Sequence, residues 1–176
     1  MRLPYLLSAT ALSFSFCLPA SATTFAFMAN MSNVGEPVPT STGSGTASVV
    51  FDDAAFTVSV NESFANLVNN ATAAHIHCCT AAAFTGSSGV SLAFTGFPSA
   101  QTSTYINTFT LASGAFGTLL AGTQAGKAYV NIHSAAPYTG GEIRGFLVPV
   151  PEPETYALML GGLGLLGLSA RRRQRR

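Results

Sequence analysis

Apolar and polar residues alternate with a period of two in short runs along the middle of this chain, and that period restricts the fold to sheets. The pattern is clearest in Phe56, Val58 and Val60 against Thr57, Ser59 and Asn61, and again in Ala128, Val130 and Ile132 against Tyr129, Asn131 and His133. Successive strand side chains point to opposite faces, so each run predicts a strand with one face buried and one wet. Further strands are expected over Phe25–Ala29, Ala47–Phe51, Ala73–Cys78, Val90–Phe94, Tyr105–Leu111 and Glu142–Val148, with Gly, Pro, Ser and Asn punctuation between them. Only Phe116–Gln124 is suited to a helical turn or two. Many short strands at close spacing predict an all-β domain, either sandwich or barrel.

The two ends read differently. Residues 1–22 begin with Arg2, continue through the apolar run Tyr5–Leu18, and finish on Ala20, Ser21 and Ala22. That is the order of a secretory signal helix, with cleavage by signal peptidase expected after Ala22. At the other end, Pro151, Glu152 and Pro153 lead into an apolar segment over 156–170 and then into Arg171, Arg172, Arg173, Arg175 and Arg176. A basic cluster after an apolar helix stays on the cytoplasmic side, which puts the preceding domain outside the inner membrane. At about 1.5 Å per residue such a helix spans only about 22 Å of a hydrocarbon core about 30 Å thick, a marginal anchor. This tail, 149–176, resembles the PEP-CTERM sorting signal. The resemblance implies recognition by the membrane protease-transpeptidase exosortase in a Gram-negative bacterium that makes extracellular polysaccharide. The expected course is export, a transient membrane-anchored precursor, and final placement at the cell surface or outside the cell.

The segment between, 23–148, suits one domain with one core. It carries five acids, Glu36, Asp52, Asp53, Glu62 and Glu142, against two bases, Lys127 and Arg144, a net charge of −3. No basic patch exists to hold nucleic acid. Few charges among many Thr, Ser, Asn and Gly residues fit neutral polar faces outside the cell or in a polysaccharide matrix. With Cys17 in the signal segment, the exported domain keeps the adjacent pair Cys78 and Cys79. They could close a vicinal disulfide, bind a metal, or stay as two small buried hydrophobes.

All three histidines fall on two expected strands. Alternation over 73–79 puts His75, His77 and Cys79 on one face, and His133 shares its face with Asn131 and Tyr129. On the last strand Glu142 and Arg144 lie together opposite Ile143. The polar faces are therefore expected to gather His75, His77, His133, Asn131, Glu142 and Arg144. An H-x-H pair on a strand sets two imidazoles about 7 Å apart at the backbone, able to converge on copper or zinc with a third ligand from His133. The alternative is a hydrogen-bonded network of the same residues with no metal. No cofactor follows from the pattern alone.

Ala74-His75-Ile76-His77, then Tyr129 to Ser134, then Gly140 to Gly145, taken in order with Gly35-Glu36-Pro37 upstream, resembles the CHRD domain first described in chordin. The likeness runs over about Phe25–Leu147. It implies an immunoglobulin-like β-sandwich acting as an extracellular structural or binding module without catalytic activity. The residues agree, since no nucleophile elbow, metalloprotease helix or phosphate loop is present. The enzyme alternative is a metal-dependent redox protein built on the H-x-H strand.

Overall fold

The computed structural model describes residues 23–38, 40–151, 160–163 and 171. The expected signal helix, its cleavage point at Ala22, and Glu152, Pro153, Arg172, Arg173, Arg175 and Arg176 of the tail lie outside them. Residues 160–163 and Arg171 are helical. Among the described residues no helix is long and apolar enough to cross a membrane.

The domain is all-β but for one helix. Its strands are β1 (Thr24–Met31), β2 (Ser44–Asp52), β3 (Thr57–Ala65), β4 (Ala71–His77), β5 (Val90–Ala93), β6 (Ser103–Thr110), β7 (Tyr129–Ser134), β8 (Ile143–Phe146) and β9 (Val148–Pro149), with α1 (Ser113–Gln124) between β6 and β7. They form two antiparallel sheets, one in the order β6-β3-β2-β1-β9 and one in the order β5-β4-β7-β8. Every expected strand is present, with shifted ends. β3 starts at Thr57 because Phe56 adopts a left-handed φ of 52° in the turn from β2. β4 stops at His77, before the cysteines.

The two sheets enclose one apolar core. Phe27, Val49, Phe51, Val58, Val60 and Phe64 project from the larger sheet onto Ala74, Ile76, Val130, Ile132 and Ile143 of the smaller one, all essentially without solvent contact. Each such side chain contributes roughly 1.5–3 kcal/mol of transfer free energy. The helix is longer than its glycines suggest. It runs twelve residues, and Phe116 and Leu119 on one face close the core, Phe116 meeting Phe51 edge-on at 5.7 Å. Burial of that face outweighs the roughly 1 kcal/mol that each interior glycine costs a helix.

The last described strand returns to the first. β9 pairs with β1 through Phe27–Pro149 and Met28–Val148, and the Val150 amide donates to the Ala26 carbonyl. The larger sheet therefore extends to Pro149, and the backbone hydrogen bond of Val150 carries its order one residue further.

Candidate functional site

Alternation on the smaller sheet decides what reaches its outer face. Ala74 and Ile76 of β4, and Val130 and Ile132 of β7, enter the core, so His75, His77, Tyr129, Asn131 and His133 face outward. The pairing sets His75 beside Asn131, His77 beside Tyr129 and His133 beside Ala73. The three imidazoles cluster, with ring centroids 5.0 Å apart for His75–His133, 5.6 Å for His75–His77 and 5.9 Å for His77–His133.

Two of the rings are held from behind. Nδ1 of His77 lies 2.9 Å from the Ser88 carbonyl and Nδ1 of His133 lies 2.9 Å from the Thr139 carbonyl. A carbonyl only accepts, so in the neutral rings these nitrogens carry the proton and leave a lone pair on Nε2. Nε2 of His77, Nε2 of His133 and Nδ1 of His75 are buried without a protein partner. One nitrogen from each residue lies within 4.8 Å of the others. Burial, and then the neighbouring His133 and His77, push the His75 imidazole down to about 4. Burial likewise lowers His77, against the opposing hydrogen bond to Ser88. Uncharged imidazoles are what a transition metal binds.

Arg144 and Glu142 do not join the histidines. Arg144 packs its guanidinium 4.9 Å over the Tyr129 ring, whose plane also stacks on His77 at 4.8 Å. Its Nε and Nη2 each donate to a different oxygen of Glu36 at 2.9 Å, and Nη1 donates to the Gly86 carbonyl and to Ser87. Asn131 also donates to Glu36. Glu142 turns to the end of the sandwich, fully buried, where it accepts from Ser41 at 2.7 Å, from the Val68 amide at 2.5 Å and from Ser134. The expected gathering of six polar residues is thus corrected to a histidine trio and two separate carboxylate anchors. The alternation rule failed at Glu142 because Gly141, at φ 134°, breaks the strand just before it. A side chain at 141 would also run into the Glu36 carboxylate and the Asn131 amide.

The cysteines also leave the histidine face. Cys78 and Cys79 are joined to each other, and both sulphurs press against Gly122 of α1. The expected place of Cys79 beside His75 and His77 is overturned because β4 ends at His77 and its alternation ends with it.

Glu36 escaped the sequence reading as a site residue. A signal existed: the exported segment holds only two bases, and a lone acid in the Gly35-Glu36-Pro37 loop had few cations to meet.

The outer face of the larger sheet is different in kind. Its register aligns four cross-strand rows: Asn30-Thr46-Ser63-Thr104, Met28-Ser48-Asn61-Ile106, Ala26-Val50-Ser59-Thr108 and Thr24-Asp52-Thr57-Thr110. Nine of these sixteen positions are Ser or Thr, and Asp52 alone carries a charge. That carboxylate is engaged by the amides of Ala54 and Ala55. Two adjoining depressions of about 250 and 160 Å³ share Thr46 and Ser63.

These features define an all-β domain of two antiparallel sheets with two dissimilar outer faces. The chain belongs to the CHRD domain family, which matches residues 25–147, and a PEP-CTERM protein-sorting motif matches residues 149–173. It is therefore an exosortase-targeted exported protein. No curated protein and no solved structure matches the chain.

Proposed function

We propose that this protein is a non-catalytic structural and adhesive module of a Gram-negative cell surface, and that the outer face of its five-stranded sheet binds an uncharged polysaccharide. The carrying observation is the composition of that face, nine hydroxyl side chains in register with a single, already engaged carboxylate. An ordinary solvent-facing sheet surface mixes Lys, Glu and Asp. Here binding strips no charge of its water, which would otherwise oppose association. Short Ser and Thr side chains lose little rotamer freedom on binding compared with Lys or Glu. Strand geometry spaces them by about 4.8 Å across the sheet and about 6.8 Å along it, a repeating set of donors and acceptors for a repeating hydroxylated chain. An immunoglobulin-like arrangement of the two sheets is the frame in this reading. The sorting tail, whose motif starts within β9, would present the domain at the surface after signal peptidase and exosortase have acted.

Electrophoresis of the mature protein through gels cast with a neutral β-glucan tests the reading. The expected result is retardation relative to a plain gel, abolished by Thr46→Lys with Ser63→Lys, two exposed positions that face each other across β2 and β3. Unchanged mobility of the unmodified protein, or equal retardation of the variant, would overturn it.

A further inference from the structure

The histidine trio lies on the opposite sheet from the hydroxyl face, and the inference drawn from it stands apart from the polysaccharide reading. Three features single it out from an ordinary surface cluster. Three buried ring nitrogens have no protein partner, an unfavourable state that a bound ion would relieve. Two of the rings are fixed in orientation by backbone carbonyls on the far nitrogen, the arrangement that holds metal-ligating histidines in protein sites. The rings also converge from two adjacent strands, one nitrogen of each lying within 4.8 Å of the others.

We propose that His75, His77 and His133 form a transition-metal site that takes zinc or copper through three imidazole nitrogens and leaves one coordination position to an external ligand. The donor set selects these ions. Three nitrogens without carboxylate or thiolate suit zinc and copper, whereas calcium and magnesium require oxygen ligands. Bonds of about 2.0–2.1 Å in tetrahedral array set the nitrogens about 3.4 Å apart. With one nitrogen of each ring within 4.8 Å of the others, the widest edge must then close by no more than about 1.4 Å. Among the described residues no other His, Cys, Asp or Glu belongs to the cluster, so the fourth position falls to water or an incoming donor, as in open zinc sites. The ion would clamp β4 to β7. Through Ser88 and Thr139 it would also steady the loops that support the rings.

Untagged mature protein, stripped with chelator, is titrated in parallel with Zn²⁺ and Cu²⁺, and bound metal is measured after gel filtration. The expected result is stoichiometric retention of at least one ion, with imidazole nitrogen couplings in the electron paramagnetic resonance spectrum of the copper form. His75→Phe is the diagnostic variant, since His75 anchors no loop. It should keep the far-ultraviolet circular dichroism of the parent and lose affinity on the order of a hundredfold or more. If that variant misfolds, the imidazole couplings of the unmodified protein decide instead. Substoichiometric retention of both metals, a copper spectrum without imidazole nitrogen, or undiminished binding by folded His75→Phe would overturn the proposal.

Discussion

Glu36 and Arg144, on segments 108 residues apart, meet in a two-pronged ion pair in which Nε reaches Oε1 and Nη2 reaches Oε2, each at 2.9 Å. Both are nearly buried, Glu36 at 6% exposure and Arg144 at 8%. The pair ties the loop after β1 to β8, and Asn131 of β7 joins it from the neighbouring strand. Isolated surface pairs stabilise by under about 1 kcal/mol, but breaking a buried pair strands a charge. Glu36→Ala should therefore destabilise the domain by about 3–5 kcal/mol, measured as a fall in the urea midpoint. A change under about 1 kcal/mol would mean that Arg144 finds water or another partner.

Glu62 is the reverse case. It is fully buried in the core face of β3 and neither carboxylate oxygen has a partner. Burial pushes its carboxyl up to about 8. The folded chain then keeps a proton that the unfolded chain has lost above its ordinary value of 4.5. The resulting stability is complete below about pH 4.5 and is lost as pH rises to about 8, a span worth on the order of 5 kcal/mol. Glu62→Leu should flatten that decline and raise the urea midpoint at pH 8. An unaltered pH profile would refute a buried neutral carboxyl.

Gly122 stands where both cysteine sulphurs press on α1, and a methyl group there would occupy their space. Gly122→Ala raises intrinsic helix propensity by about 1 kcal/mol, so an exposed glycine would gain from the change. Here overpacking should prevail, with a net loss of about 1–3 kcal/mol and a lowered melting temperature. Gly117, which has open space around it, is the control. Gly117→Ala should stabilise slightly.

The strands were legible because their residues obey one strong rule, burial of alternate side chains, from Phe27 on β1 to Ile132 on β7. The histidine trio was legible for the same reason, since His75 and His133 sit within strands and His77 is the last residue of β4. What failed lay just past strand ends. Cys79 and Glu142 follow a terminus and a left-handed glycine respectively, where period-two counting has no physical basis. The Glu36–Arg144 pair was hidden because its partners are distant in sequence and one sits in a loop, and no periodicity connects a loop to a strand. The hydroxyl face required the register of four strands. No single strand reveals a row.

Placement of the domain outside the cell by a removable tail is the claim on which the surface role depends, and the intact mass of the mature protein tests it most directly. Protein recovered from the surface or medium of the native cell should begin after Ala22 and lack the Arg171–Arg176 cluster, with its new C-terminus near Pro151-Glu152-Pro153. A mature chain that still ends at Arg176 would contradict it.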